Sequence, residues 1–387
     1  MNRPTKMMRG LRRSSRSIGP HALLAAVLAV AAALAAGQSP SPPQAPVYYT
    51  ISLANPGLHL VHVKMELAPG PAQRELQLPV WNALYQVRDF SQFVNWVRAK
   101  NPSGQALSVH KLDKSRWSIS GTQAGAHIEY EILADNPGPY GAELNSQHAF
   151  FNFAQLLMYP LDQRASPMEV GFADVPAGWR VATSLTATAM GDYAAAGYDR
   201  LVDAPVEISD FKEATFEAEG SPYRVVVHAD PADYDLQKIT PAVQRIVSAA
   251  TSWMNDHPPN FLFLYHFPKE EGGGGMEHAY STAINVNAQA LSENILSLAS
   301  VTAHEFFHLW NVKRIRPQSL EPVDYTKENY TTALWFSEGF TSTAENYILL
   351  RAGLLDEKQY LERLVGQISE LQSRSAHLNQ SAEESSL

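Results

Sequence analysis

The chain contains no cysteine. Disulfides, thiolate metal sites and cysteine nucleophiles are therefore excluded, and any bound metal must be held by His, Asp or Glu. The lack of disulfides does not argue against export, because a chain of 387 residues can bury a sufficient core without them. Basic residues are also scarce: 30 Lys and Arg stand against 39 Asp and Glu, a formal charge of -9. An acidic chain is poorly suited to gripping a phosphate backbone, so no nucleic-acid partner is expected. Long apolar runs are missing too. The unbroken apolar stretch Ala22 to Ala36 has 15 residues, short of the ~20 that a bilayer-spanning helix needs. No internal repeat is visible.

That stretch has another use. Arg3, Lys6, Arg9, Arg12, Arg13 and Arg16 form a basic head without an acidic residue, and Ala33, Ala35 and Ala36 close the apolar run. A basic head, a short apolar segment and small residues at its end read as a signal peptide over residues 1–36. The expected destination is outside the cytoplasm, periplasmic or secreted, with no stable membrane span after cleavage. Residues 37–46 are rich in Pro and Ser and read as a linker.

From Val47 to about Asp230 the pattern has period two. In Val61-His62-Val63-Lys64-Met65-Glu66-Leu67, apolar and polar residues alternate strictly, which is a strand with one wet face. His127 to Ile132 and Tyr223 to His228 are similar, and clusters such as Asn136-Pro137-Gly138-Pro139 separate the runs. An antiparallel β domain, sandwich-like, is expected over 47–235. The period then changes. Thr240-Pro241 reads as a helix start, with Val243, Ile246, Val247, Ala250 and Trp253 on one face. Phe261 to Phe267 reads as a short buried strand. The glycines 272–275 are expected to break regular structure. The chain then looks helical from Ser292 on. Gly353 ends one helix, Asp356 with Gln359 makes a capping box for the next, and Leu361, Leu364, Val365, Ile368 and Leu371 line a face of that last helix.

The chemistry concentrates at His304-Glu305-Phe306-Phe307-His308. Residues four apart share a helix face, so both imidazoles can reach one ion, and the carboxylate between them falls beside it. A catalytic zinc takes three protein ligands, and Glu305 is placed to act as a general base. Chance gives this pattern in fewer than about 0.05 chains of this composition. Phe306, Phe307, Leu309 and Trp310 make the segment apolar on several sides, and buried imidazoles and carboxylates need partners that a metal supplies. The third ligand comes from further on. Glu328 lies in a polar stretch beside Lys327, Asn329 and Tyr330. Glu338 lies in Trp335-Phe336-Ser337-Glu338-Gly339, an apolar run that continues helically to Leu350, and is preferred because a ligand should ride on a rigid element. Glu345, two turns on, is either an exposed carboxylate or a partner for a ligand histidine. A second motif is Gly274-Gly275-Met276-Glu277-His278. Glycine lets backbone approach a substrate closely, and a carboxylate there can pair with a substrate ammonium group, which fixes the cut one residue from the N-terminus. The bland alternative is a flexible glycine loop.

At these residues the chain resembles the glycyl aminopeptidase family, gluzincin zinc metallopeptidases that usually end in a PDZ domain. The matching pieces are Gly275-Met276-Glu277-His278, the stretch His304 to Pro317 (HEFFHLWNVKRIRP), Trp335 to Thr341 (WFSEGFT) and Leu349 to Gly353. Leu78-Pro79-Val80-Trp81 followed by Tyr85, Arg88 and Phe90 resembles the family's first domain. The resemblance implies one zinc ion held by His304, His308 and Glu338, Glu305 as general base, and Glu277, beside Gly275 and Met276, recognising the free α-amino group. It implies peptide substrates with a small N-terminal residue, glycine or alanine. The implied fold is α+β: an N-terminal antiparallel β-sandwich-like domain, then a thermolysin-like, mainly helical zinc peptidase domain over 236–387. That second domain would be C-terminally incomplete, since relatives continue with a helical part and the PDZ domain. The tyrosine expected to stabilise the oxyanion lies in that continuation, and Tyr280, Tyr330 and Tyr347 do not map onto it. Two rival functions remain: a thermolysin-like endopeptidase, and a catalytically incomplete zinc-bound fragment that binds peptides. The sequence leaves the oligomeric state open.

Overall fold

The computed structural model describes residues 45–82, 88–270 and 273–387. The leader, most of the linker and Tyr85 lie outside the described residues.

The architecture is α+β, rich in sheet at its N-terminal side and in helix at its C-terminal side. Alternation along Leu60–Leu67 does what the sequence indicates: Val61, Val63 and Met65 are fully buried while Lys64 and Glu66 face out. This strand pairs antiparallel with Val47–Asn55 and Ala126–Leu133 in the middle of a seven-stranded sheet. One pairing in that sheet departs from the antiparallel expectation, because Val47–Asn55 runs parallel to Met168–Ala173. Two four-stranded antiparallel sheets share its core, one containing Gln73–Gln77 and Arg116–Ser120, the other His148–Phe151 and Val206–Ser209. Leu320, Val323 and Tyr325, from far along the chain, also pack into this core. Trp81 fastens them, its indole N–H donating to the Asp324 carbonyl at 2.5 Å.

The second core surrounds a five-stranded mixed sheet, Lys212–Ala218, Ser221–His228, Phe261–His266, Ser281–Asn285 and Gly274–Glu277 in spatial order. The strand Tyr223 to His228, read from sequence as part of the β half, thus pairs parallel with Phe261–His266 in this later sheet. Phe261–His266 reads as a continuous apolar run because both faces are covered. Phe261, Phe263 and Tyr265 meet the helices, while Leu262 and Leu264 meet Phe150 and Ala182 of the neighbouring four-stranded sheet.

The helix expected to begin at Thr240 begins earlier, at Leu236, with Asp235 capping the Gln237 N–H. Ile239 is buried on the same face as Val243, Ile246, Val247 and Ala250, and that extra turn of apolar contact outweighs the missing N–H of Pro241. The expected run of helix from Ser292 is two pieces, Ala288–Glu293 and Leu296–Phe307. Thr341–Arg351 ends before Gly353, whose φ of 62° suits glycine. Glu357–Ser373 carries the capping box of Asp356 and Gln359. Its apolar face is present but uncovered, with Val365 61% exposed. Among the described residues, no helix is long and apolar enough to cross a membrane.

Candidate metal centre and active site

His304 and Glu305 sit in the last turn of Leu296–Phe307, and His308 is the residue that closes it. The helix is held by its apolar side: Phe306 is fully buried against Tyr223, Phe261 and Phe263. Removing the Phe306 ring would cost about 3–5 kcal/mol and loosen the platform under both histidines. Glu338 rides on a π-helical turn, Trp335–Phe340, that leads into Thr341–Arg351. Such turns widen the spacing of the ladder and aim a side chain that a regular helix would carry past. Asn311 ties this turn to the end of the motif helix, its amide donating to the carbonyls of Phe336 and Ser337.

These elements bring three side chains together. Glu338 Oε2 lies 3.2 Å from His304 Nε2 and 3.7 Å from His308 Nε2. A tetrahedral zinc with bonds of about 2.0–2.1 Å places neighbouring ligand atoms about 3.4 Å apart, so the spacing fits one ion. The outer nitrogens are held as a metal site requires. His308 Nδ1–H donates to the Asn311 carbonyl at 2.8 Å, and His304 Nδ1 faces Glu345 Oε2 at 3.6 Å. Burial works against charge on His304, yet Glu338 and Glu345 raise its imidazole to about 10. Glu338, despite burial, is held down at about 2 by His304 and His308. The carboxylates around the two imidazoles therefore favour positive charge there, whether a proton or a metal ion carries it. Glu328 is elsewhere, paired with the Tyr330 hydroxyl on an exposed loop.

Glu305 is 7% exposed, and burial pushes its carboxyl up to about 7 against the pull of His308 and His304. It faces the Gly274–Glu277 strand. Gly274 and Gly275, expected to break structure, instead form the edge of the five-stranded sheet, opposite Asn285 and Ile284. The reason is close approach: a Cβ on Gly275 would overlap the Glu305 side chain. Glu277 is 3% exposed, and its Oε1 has no hydrogen-bond partner. Gly275, Glu277, Glu305 and the three metal-site residues line one cavity of about 590 Å³. Met276 does not reach it. Its sulfur is buried and accepts from the Asn152 amide at 2.7 Å.

Two residues on the cavity wall are not placed at the site by the sequence reading: Tyr140, and Arg88, which enters it only through the family resemblance. Tyr140 follows the Pro-Gly-Pro turn and presses its hydroxyl toward Gly274. Burial, then the charges of Glu305 and Glu277, raise its phenol, so it stays a donor. Arg88 lies over the Tyr140 ring at 5.0 Å. Behind the cavity, Asp203 binds His278 Nδ1 at 3.2 Å and Lys313 Nζ at 2.9 Å, joining the Gly-Met-Glu-His strand to the segment after the motif helix. Tyr280, Tyr330 and Tyr347 are not among the residues lining the cavity.

Two imidazoles and a carboxylate around one point, with a buried second carboxylate beside them, are the parts from which metallopeptidase sites are built. The chain belongs to the M61 peptidase family: residues 48–210 match the Peptidase M61 N-terminal domain and residues 297–387 match M61 glycyl aminopeptidase. It is similar to the crystal structure of an aminopeptidase N family protein from Idiomarina loihiensis, at 29% identity and a TM-score of 0.83 over 88% of this chain. The chain spans 60% of that structure's length. A variant of an M1 zinc metallopeptidase from Deinococcus radiodurans shares the fold at 13% identity, with a TM-score of 0.50 over 86% of this chain and 75% of that one. No curated protein sequence matches the chain.

Proposed function

We propose that this chain is a zinc-dependent aminopeptidase that releases a small N-terminal residue, glycine or alanine, from peptides. The observation that carries the reading is Glu277, a buried carboxylate with an unpaired oxygen in the same cavity as Glu305. A buried charge without a donor is costly, and a substrate ammonium group supplies both the charge and the hydrogens. The choice of glycine or alanine rests on the family. One zinc ion is held by His304, His308 and Glu338, and when bound it supplies the Lewis acidity that polarises the scissile carbonyl and acidifies water.

The chain's own residues do the rest. Glu277 anchors the free amine and so sets which peptide bond lies beside Glu305. Glu305 takes the proton of the attacking water and returns it to the leaving amine, and its raised carboxyl suits both directions. Tyr140 offers a hydroxyl at the cavity wall where negative charge develops on the carbonyl oxygen. His304 and His308 stay oriented through Glu345 and the Asn311 carbonyl. The organisation proposed around this site is a leader over 1–36 that directs export, a linker over 37–46, a β domain from 47, and a catalytic domain whose sheet already includes Lys212–Ala218 and Ser221–His228, so that the boundary expected at 235 moves back to about 211.

The test uses a glycyl anilide and its N-acetylated form, each with and without a chelator. Cleavage of the free form alone, abolished by chelator and restored by zinc, supports the reading. Equal cleavage of both forms indicates a thermolysin-like endopeptidase, and no cleavage by folded, zinc-loaded protein refutes the activity. The Glu305→Gln variant should keep its zinc and lose turnover.

A further inference from the structure

A second cluster of imidazoles and carboxylates lies where the two sheets meet. His148 opens the strand His148–Phe151, and Glu207 lies on its antiparallel partner Val206–Ser209. His228 and His266 end the parallel strands Ser221–His228 and Phe261–His266 and stand opposite each other in register. Between the two sheets the seam is apolar, packed with the buried side chains of Phe150, Ala182, Val226, Leu262 and Leu264. The polar cluster sits beyond it and opens on a cavity of about 920 Å³ that shares no lining residue with the cavity around Glu305.

Glu207 is at the centre and only 1% exposed. Its Oε2 lies 3.0 Å from His266 Nε2 and 3.3 Å from His148 Nδ1. Those spacings match neighbouring ligands on one tetrahedral ion, about 3.4 Å. The outer nitrogen of each ring is already anchored. His266 Nδ1–H donates to Asn285 Oδ1 at 3.3 Å, and His148 Nε2 faces Glu143 Oε2 at 3.4 Å. That fixes both rings with their inner nitrogens toward Glu207, the arrangement in which carboxylates and amides hold metal-binding histidines. Glu207 Oε1 is buried without a hydrogen-bond partner, with His228 Nδ1 at 3.8 Å. Two independent features therefore point to a ligand: a preset donor triad and an unsatisfied buried carboxylate oxygen among it.

We propose that His148, His266 and Glu207 form a second divalent transition-metal site, with zinc as its natural occupant and its fourth position open to the adjoining cavity. Two imidazoles and one carboxylate are a donor set that zinc accepts. His148 and Glu207 come from one sheet and His266 from the other, so the ion ties the two sheets across their seam. The competing occupant is a proton. Burial opposes charge on His148, but Glu207 and Glu143 raise its imidazole to about 10, so the cluster holds positive charge in either case.

The experiment counts metal in the full chain. Protein stripped by chelator, reloaded with zinc and desalted is assayed by elemental mass spectrometry as wild type, as His304→Ala/His308→Ala and as His148→Ala/His266→Ala. Two equivalents in the wild type and one in each double variant are expected. The His304→Ala/His308→Ala protein, loaded with cobalt, should show tetrahedral absorption bands, and added zinc should raise its Tm. Should His148→Ala/His266→Ala fail to fold, the other variant still decides, since its cluster is intact. One equivalent in the wild type and none in His304→Ala/His308→Ala would overturn the site and leave a protonated ion-pair network in its place.

Discussion

Replacing Gly275 by alanine tests the close approach between the edge strand and Glu305, the proposed general base. Its backbone has no positive φ, so an L residue meets no conformational strain there. The whole effect is therefore steric. The new methyl would overlap Glu305 Cγ, Cδ and Oε1, so either the strand or the Glu305 side chain must move. The strand is fixed by its ladder to Ser281–Asn285, which leaves the side chain. A displacement of about 1 Å at a catalytic group costs on the order of 100-fold in rate. The three atoms nearest to the new methyl all belong to Glu305 and none to His304, His308 or Glu338, so zinc content should stay at the wild-type level. The assay is kcat on a glycyl anilide with metal counted in the same sample. Gly273→Ala is the control, because its Cβ meets the Asn285 carbonyl at an ordinary 3.6 Å. In a Glu305→Gln background the alanine should add almost nothing, since the two changes act through one group. Full turnover by Gly275→Ala, or loss of metal in place of turnover, would refute the reasoning.

Three further substitutions read other parts of the site. Glu277→Gln keeps the shape and removes the charge; a charge-assisted hydrogen bond of about 1.5–3 kcal/mol corresponds to roughly 10- to 100-fold in kcat/KM. That loss should appear on free-amine substrates alone, and an unchanged preference over the acetylated form would exclude Glu277 as the anchor. Glu345→Gln withdraws the partner of His304 Nδ1 and should weaken zinc affinity by about 10- to 100-fold, measured by competition with a chromogenic chelator, with kcat near normal at saturating metal. Asp203→Asn breaks a largely buried pair with Lys313 and His278 and should cost about 3–5 kcal/mol at pH 7 in urea unfolding. Burial alone would raise the Asp203 carboxyl, but Lys313 and His278 hold it well below its ordinary 3.8. Its contribution is therefore complete above pH 4 and fades as the pH falls below it, so wild type and variant should converge in acid.

What the sequence discloses depends on whether the partners are linked by a local period. His304, Glu305 and His308 are legible because helical spacing alone puts them on adjoining faces. The preference for Glu338 over Glu328 follows from the rigidity of its surroundings, although the π-turn that aims it leaves no mark in the pattern. Thr240-Pro241 misplaces a helix start because local signals there are weaker than the buried contact of Ile239. Gly274 and Gly275 look like a break because glycine lowers strand propensity, and only the approach of Glu305 explains a strand of such residues. Tyr140 hides in a turn, where its neighbours Pro137, Gly138 and Pro139 describe the backbone and not the cavity it faces. His148, Glu207, His228 and His266 sit on four different strands, each an ordinary polar residue in an apolar run, and sheet pairing alone assembles them.

The strand Ser281–Asn285 shows how one register can set two sites. Four of its five residues are buried, so its face is fixed by burial on both sides. Its pairing with Gly274–Glu277 puts Thr282 opposite Glu277, and its pairing with Phe261–His266 puts Asn285 opposite His266. Asn285 is also the register partner of Gly274, the residue against the Tyr140 hydroxyl. A slip of one residue would turn every side chain of this strand to the other face. It would turn the Asn285 amide oxygen away from His266 and leave Glu277 one residue out of register with its partner Thr282 in the same movement. The residues Ser281, Thr282, Ala283 and Ile284 carry none of the chemistry, yet their packing determines where both carboxylate clusters fall.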